Sequence, residues 1–337
     1  MTVHKPSARR VGEFWGVPVT LALGAALIFA ISFVVPTTWL FFLQKVLALG
    51  LFAVATNLLV GYGGMVSFGQ AVFYGLGAYM IALGWQHYGA PFWLLLMLAP
   101  LLGALAALVI GALALRTREF YFALLTLAFS QLFYTIANKW YDFTNGANGV
   151  FGPMIPGAIA MPRPGLWFIL AVTMLALLAL WAITISPFGL TLRAIRENQQ
   201  RVEAVGVNLY RHKLYAFVLS GAFCALAGAL FVVHDQSAYP ELLDWMQSGE
   251  PVLMALIGGL YHFLGPLVGA FIFVFAHDYL VAASSDTWQL ILGLALVLIV
   301  LFAPNGVLGL WRQGGGGGLK GLLGRVFQGG THERPDG

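Results

Sequence analysis

The chain has 337 residues, of which 60% are hydrophobic and only 9% are charged, with a formal net charge of +4. Soluble domains average roughly 45–50% apolar and about 25% charged residues, so this composition excludes a soluble core with an ordinary surface. It predicts a polytopic integral membrane protein. The basic residues cluster in loops between apolar segments, which argues against nucleic-acid binding. Cys224 is the only cysteine, which excludes disulfide frameworks and cysteine-based metal sites.

Apolar segments long enough to cross a bilayer recur along the whole chain. About 20 apolar residues span a hydrocarbon layer of roughly 30 Å. We therefore predict an all-α transmembrane helical bundle of nine to ten spans. The stretch 247–262 is either a short tenth span or a re-entrant half-helix. The candidate spans are 17–36, 38–60, 66–86, 91–115, 119–137, 165–186, 213–233, 263–283 and 287–303.

The distribution of Lys and Arg predicts the orientation of the bundle. With ten crossings and a cytoplasmic N-terminus, 14 of the 17 basic residues lie on the cytoplasmic side. Lys139 and Arg163 then lie outside, and Lys45 lies within a span. This bias fits the positive-inside rule, so we expect both termini in the cytoplasm. The predicted layout is a tail at 1–16, a transmembrane domain at 17–311 and a flexible tail at 312–337.

Each half of the chain contains an apolar segment interrupted by glycines, at 57–80 and at 248–270. Paired interruptions of this kind mark a substrate site near the midplane of transporters. We expect a broken helix at Gly61, Gly63 and Gly64, and close helix packing at Gly75 and Gly77. The correspondence allows an internal repeat of two halves.

Polar groups within these spans are the candidates for a substrate path, because they are costly in a membrane unless they are paired or face water. Thr126 and Ser130 have a structural alternative, which is to bond carbonyls of their own or a neighbouring helix. Lys45 can extend outward from its span, and His277 and Asp278 are expected near an outer interface. The candidate path residues are Asn57, Gly63, Gly64, Ser67, Gln70, Thr126, Ser130, Gln131 and Glu250.

The stretch 186–213 is the one long polar segment inside the chain, and it carries seven charged residues. Placing them at a bilayer centre would cost about 17–25 kcal/mol, so the segment must lie in water. Leu192, Ile195, Val202 and Val205 predict one apolar side of a short helix, which Gly206 would end. We interpret the segment as a docking helix that offers this apolar side to a soluble partner. The alternative is a basic loop resting on anionic lipid head groups.

Signatures of catalysis or cofactor binding are missing from the sequence. There is no GxxxxGK[ST] phosphate loop and no HExxH motif, and the seven histidines show no metal-ligand spacing. We therefore expect no catalytic residue, no metal and no cofactor bound by this chain.

Several motifs resemble those of LivM-type permeases of bacterial branched-chain amino-acid ABC importers. They are GYGGMVSFGQAVFYGLGAY at 61–79, YFALLTLAFSQ at 121–131, TNGANGV at 144–150, and the polar segment with the helix after it. GGLYHFLGPLVGA at 258–270 and APNGVLGLW at 303–311 follow in the same order. In the family the motif that corresponds to 258–270 usually has a GGLG-type turn, where this chain has the bulkier Tyr261, His262 and Phe263.

The resemblance implies that 187–211 is the coupling segment, through which ATPase subunits act on the permease. It also implies a homologous second permease subunit of LivH type, two ATPase subunits that bind ATP and Mg, and a periplasmic solute-binding protein, all at the bacterial inner membrane. The residues implied to couple to the ATPases are Arg193, Ile195, Arg196, Glu197, Asn198, Arg201, Glu203, Ala204 and Gly206.

The sequence leaves the substrate and the transport class open. Members of the family are associated with urea, amides and aromatic acids as well as with branched-chain amino acids. A stand-alone secondary transporter is the main alternative, although Lys45, Glu250 and Asp278 are the only titratable groups available within the spans. A scaffold that assembles other membrane proteins without transporting is the third alternative.

Overall fold

The fold is a bundle of α-helices with almost no β-structure. The computed structural model describes residues 8–117, 119–152, 154–283, 291, 293–294 and 306–308. The long helices are α1 (Ala8–Ile31), α2 (Thr37–Asn57), α3 (Gln70–Tyr88), α4 (Phe92–Ala114), α5 (Glu119–Lys139), α8 (Pro162–Ile185), α11 (Leu209–Asp235), α12 (Trp245–Gly258) and α13 (Gly265–Ala283).

Shorter elements connect the long helices. A π-helix (Leu58–Tyr62) continues α2, and two 3₁₀-helices lie at Gly146–Asn148 and Pro240–Leu243. Strands β1 (Val150–Phe151) and β2 (Ser237–Ala238) pair antiparallel, with Val150 opposite Ala238. The remaining short helices are α6 (Tyr141–Thr144), α7 (Gly157–Ala160), α9 (Pro187–Glu197) and α10 (Gln199–Ala204).

Six of the described helices are long and apolar enough to cross a membrane, which confirms the polytopic helical bundle. The first begins at Thr37 and includes the π-helix, and the others are α4, α5 from Phe120, α8, α11 and α13. The first predicted span corresponds to α1, whose apolar part, Gly16–Ile31, is shorter. The predicted span 287–303 lies almost wholly outside the described residues.

Two predicted spans differ from a simple crossing. The stretch 66–86 becomes α3, which begins only at Gln70, and its glycines, tyrosines and Gln70 make it less apolar than the six. More than half of α3 is buried within the bundle, so protein surrounds these groups. The stretch 247–262 becomes α12, whose 14 residues measure about 21 Å, too short to cross the hydrocarbon layer. This length supports the half-helix over a tenth full span.

The core of the bundle is α11, which packs against α2, α3 and α4. Small residues allow this close approach: a Cβ on Gly77 would overlap the carbonyl of Ala225, and a Cβ on Gly228 would overlap the carbonyl of Tyr74. A Cβ on Gly75 would meet the side chain of Leu243. The predicted packing role of Gly75 and Gly77 is therefore confirmed, because these contacts leave no room for a side chain.

The first helix break lies where it was predicted. The π-helix ends at Tyr62, Gly63 N donates to Leu58 O at 3.2 Å, and Gly64 has a left-handed φ of +67°. The chain then runs without helical structure until α3 begins at Gln70. We call residues 61–69, which begin with the last two residues of the π-helix, break 1. Glycine reverses the chain here because it takes positive φ without steric cost.

The second break joins α12 to α13 at residues 259–264, which we call break 2. Gly259 has a φ of +119°. A Cβ on Gly258 would overlap the carbonyl of Gly265, and a Cβ on Gly269 would overlap that of Met254, so the two helices touch through their backbones. Gly306, from the APNGVLGLW motif, lies against Gly259. Glycines therefore set the geometry of this hairpin.

Candidate functional site

The segment that is predicted to couple to ATPase subunits, for which we keep the name coupling segment, folds as two short helices rather than one. Pro187 occupies the first turn of α9, and the Ser186 hydroxyl caps it by accepting from Gly189 N. Asn198 then adopts an extended conformation (φ −160°, ψ 100°) and caps α10 by accepting from Arg201 N at 2.9 Å. The predicted helix is therefore divided at Asn198, because this side chain satisfies the amide of a new helix start.

The end of α10 follows the prediction for Gly206. Its φ is +89°, Gly206 N donates to Glu203 O at 2.8 Å, and Val207 N donates to Val202 O at 3.4 Å. These two bonds form the glycine-terminated motif that satisfies the last carbonyls of a helix.

The apolar side predicted for this segment does not form one exposed stripe. Leu192 and Ile195 on α9 are fully buried within the chain itself, whereas Val205 beyond α10 is 80% exposed. The expectation that the stripe is offered to a partner is therefore wrong for α9. Its apolar residues anchor the helix to the bundle, because burying them removes apolar area from water.

Two arginines of α9 reach into the transmembrane domain. The Arg193 guanidinium lies 4.8 Å from the ring centroid of Tyr62, and its Nη2 donates to Thr184 O at 3.4 Å. Arg196 donates through Nη1 to the carbonyl of Gly61, and its guanidinium lies 4.9 Å from the ring centroid of Tyr261. Arg196 therefore contacts residues at both helix breaks.

The two breaks also touch each other directly. Asn57 Nδ2 donates to Leu260 O at 3.1 Å, and a Cβ on Gly61 would lie 2.5 Å from the same oxygen. A Cβ on Gly64 would lie 2.7 Å from Arg196 Cγ. We call the contact of α9 with both breaks the coupling junction, formed by Asn57, Gly61, Tyr62, Gly64, Arg193, Arg196, Leu260 and Tyr261.

The other predicted coupling residues face away from the bundle. Beyond Arg196, all of them are exposed, and together they form a polar surface around α10 with both signs of charge: Glu197, Asn198, Arg201, Glu203, Ala204 and Gly206. The structure thus separates the predicted set into inward anchors (Arg193, Ile195 and Arg196) and an outward surface.

Three of the predicted path residues meet at break 1. The Thr126 hydroxyl accepts from Phe68 N at 3.2 Å, and the Ser67 hydroxyl accepts from Gly69 N at 3.2 Å. Gln70 Oε1 accepts from Ser220 Oγ at 3.1 Å and from Cys224 Sγ at 3.3 Å. All of these side chains are buried; Thr126 and Ser67 satisfy backbone amides freed by the break, and Gln70 connects the start of α3 to α11.

The remaining predicted path residues lie apart from one another. Asn57 belongs to the coupling junction, where Gly63 is buried and Gly64 is exposed. Ser130 Oγ donates to Leu243 O at 2.7 Å, on the side of the bundle where α12 begins. Gln131 is exposed on the outside of α5. Glu250 accepts from Gln247 Nε2 at 2.8 Å and lines a separate cavity. The structure does not bring all nine residues to one cavity.

Sequence reasoning missed three residues of the coupling junction. Tyr62, Leu260 and Tyr261 were not candidates, and Tyr261 was noted only as bulk at a glycine turn. Their contacts join segments far apart in the chain, and no local spacing signals such a pairing. The pairing of Lys45 with Asp278 at 2.6 Å was also not predicted.

Comparisons with known proteins give the same assignment as the motifs. Residues 38–301 match the family described as branched-chain amino acid transport system, permease component. The chain is 28% identical to the high-affinity branched-chain amino acid transport system permease protein LivM of Escherichia coli K12, over 79% of this chain and 68% of that protein.

Two further relatives extend the comparison. The probable LivM permease of Methanocaldococcus jannaschii is 24% identical over 64% of this chain and 68% of its own. The LivH permease of Escherichia coli K12 is 30% identical over 41% of this chain and 45% of its own. No solved structure matches the chain. The family match covers most of the chain, and the chain therefore belongs to the permease components of branched-chain amino acid transport systems.

Proposed function

We propose that this permease subunit moves branched-chain or related amino acids into the cytoplasm, driven by ATP hydrolysis on partner ATPase subunits. The observation that carries the proposal is the coupling junction. Helix α9 leads into the exposed polar surface around α10, and Arg193 and Arg196 of α9 contact both glycine breaks.

The geometry indicates how a movement of an ATPase subunit would reach the transmembrane helices. An ATPase subunit bound to the exposed surface around α10 would move α9, an 11-residue helix about 17 Å long. Because α9 contacts Gly61 and Tyr261, its movement would displace both breaks together. Segments without regular helical hydrogen bonds deform at lower cost than intact helices, so the breaks are the natural hinges.

The proposal also includes partner proteins that act together with this chain. A homologous LivH-type permease subunit would complete the membrane part, and a periplasmic solute-binding protein would deliver the substrate. Two ATPase subunits would bind ATP and Mg, so this chain would carry no cofactor and no catalytic residue. The assembly would lie in the bacterial inner membrane with both termini of this chain in the cytoplasm, as the distribution of basic residues favours.

The alternative transport class is ion-coupled secondary transport by this chain alone. Ion-coupled transporters rely on titratable groups within their spans. Lys45 and Asp278 form an ion pair, and Glu250 lines a cavity nearby, so the alternative has candidate groups.

Reconstitution in proteoliposomes separates the two classes. We expect the complete assembly to take up radiolabelled leucine only when ATP and the ATPase subunits are present. Uptake by this chain alone under an ion gradient, without ATPase subunits, would contradict the proposal and support secondary transport. Uptake measurements with an aromatic acid, an amide or urea in place of leucine, delivered by the solute-binding protein of this system, would define the substrate class.

A further inference from the structure

A cavity of about 170 Å³ lies between α2, α3, α12 and α13, away from the coupling junction. Lys45 and Asn57 are both on α2, and their separation along the helix corresponds to about 18 Å. Since the coupling segment must lie in water on the cytoplasmic side, this cavity belongs to the opposite half of the bundle. We call it the outer cavity.

We propose that the outer cavity is a transit site for a zwitterionic amino acid with an apolar side chain. The polar side chains of Lys45, Glu250 and Tyr74 are among its lining residues, and its apolar wall includes Leu49, Phe231 and Phe273. This inference rests on the proposed function and adds a place on the path where the substrate is held.

The polar groups have hydrogen-bonding capacity left for a ligand. An ammonium group has three donors, and the hydrogen bond from Lys45 Nζ to Asp278 Oδ1 uses one of them. A carboxylate accepts through two oxygens, and Gln247 bonds only Oε2 of Glu250. The Tyr74 hydroxyl is buried and has no hydrogen-bond partner among the described residues. A buried polar group without a partner is costly, so a ligand that pairs with it gains binding energy.

The charges favour an ammonium-bearing ligand over a simple anion. Lys45 is paired with Asp278, which does not line this cavity, and Glu250 adds a further negative charge when it is ionised. An arriving ammonium group favours the ionised form of Glu250, because opposite charges a few Å apart stabilise each other. The substrate carboxylate would meet the Lys45 ammonium, and its side chain would contact the apolar wall.

Tyr239 supplies a second hydroxyl to this cavity from the loop between α11 and α12. Burial, together with the nearby Asp235 carboxylate, raises the pKa of Tyr239 above its usual range. The phenol therefore keeps its proton and can donate a hydrogen bond to a carboxylate or a carbonyl oxygen.

Tyr74→Phe tests the site with little disturbance to the fold, because it removes only a hydroxyl that has no described partner. The matched control is Tyr79→Phe. Tyr79 is also on α3, is also buried, and also has a hydroxyl without a described partner, but it does not line this cavity. Uptake of radiolabelled leucine is measured in the complete assembly with saturating ATP, together with the assembly's yield and melting temperature.

We expect Tyr74→Phe to lower kcat/KM for uptake about three- to tenfold, the effect of losing one hydrogen bond to the ligand. Glu250→Gln should lower it about tenfold or more, because hydrogen bonds to charged groups are stronger. Tyr79→Phe should match the wild type, and the Tyr74→Phe assembly should keep the wild-type melting temperature.

Uptake by Tyr74→Phe equal to that of the wild type would overturn the transit site, as would equal losses in Tyr74→Phe and Tyr79→Phe with a lower melting temperature. The wild-type assembly separates this failure from failure of the proposed function. Absence of ATP-dependent leucine uptake by the wild type would contradict the proposed function itself. Normal wild-type uptake with an unaffected Tyr74→Phe would contradict only the site.

Discussion

Helices α9 and α10 are consecutive and both charged, yet their side chains have different surroundings. On α9, Leu192 and Ile195 are buried, and Arg193 and Arg196 contact the transmembrane breaks. Around α10, Arg201, Glu203 and neighbouring residues are exposed. Under the proposed function, this difference gives the segment two tasks. The α10 surface is available for binding a partner, and α9 connects that surface to the bundle.

Reversing the charges around α10 should have the largest effect, on partner binding. We expect Arg201→Glu combined with Glu203→Lys to weaken co-purification of the ATPase subunits at least tenfold, because like charges facing each other across an interface are strongly unfavourable. The permease itself should keep its yield and melting temperature, since both side chains are exposed. Unchanged ATPase binding would remove α10 from the docking surface.

Gly64 and Gly206 form a matched pair of glycines that distinguishes the effect of contact with Arg196 from the effect of backbone strain. Both have positive φ, so alanine at either position costs about 1–2 kcal/mol of backbone strain. A Cβ at Gly64 would also meet Arg196, whereas a Cβ at Gly206 would meet nothing within 4 Å.

We therefore expect Gly64→Ala to reduce uptake more strongly than Gly206→Ala, while both lower the melting temperature of the purified assembly. Reduction of uptake to the same extent by both variants would show that backbone strain, not contact with Arg196, controls transport.

Asn57→Ala tests the direct connection between the breaks. The substitution leaves Leu260 O without its side-chain donor, and a partly buried carbonyl that loses its partner costs about 1–2 kcal/mol. We expect a lower melting temperature and reduced uptake, with ATPase co-purification retained. Loss of the ATPase subunits in this variant would instead connect Asn57 to docking.

Tyr261→Leu should have the smallest effect. It removes a ring that lies against the Arg196 guanidinium, a contact worth about 0.5–1 kcal/mol at an exposed position. Tyr261→Phe keeps the ring and is the control, so uptake by this variant should equal that of the wild type. Equal losses in both variants would assign the effect to the hydroxyl rather than to the ring.

Much of the fold could be predicted from the sequence, because membrane spans and glycine breaks are local signals. Length and apolarity identified the bundle, three glycines within four residues identified break 1, and Gly206 identified the end of α10. The division of the coupling segment at Asn198 was not predicted. The helical spacing of apolar residues continued across it, and the side-chain cap that restarts the helix gave no stronger signal than the charges around it.

The site was harder to predict than the fold, since its contacts join residues far apart in the chain. Gly61 and Arg196 are neighbours only because α9 packs against the π-helix, and Asn57 meets Leu260 only because α2 packs against α12 and α13. Lys45 and Asp278 were considered separately, and their pairing appears only when α2 packs against α13. The polar character of a residue and its position in a span identified the candidates. They did not predict which candidates contact each other.

The central claim is that Arg196 transmits the action of the ATPase subunits to both breaks, and the ratio of leucine transported to ATP hydrolysed measures this directly. For Arg196→Ala in the reconstituted assembly, we predict a ratio at least about fivefold below that of the wild type, with ATPase subunits still bound, because Gly61 and Tyr261 lose their contacts with α9. An unchanged ratio would contradict the account, and so would a variant that no longer binds the ATPase subunits.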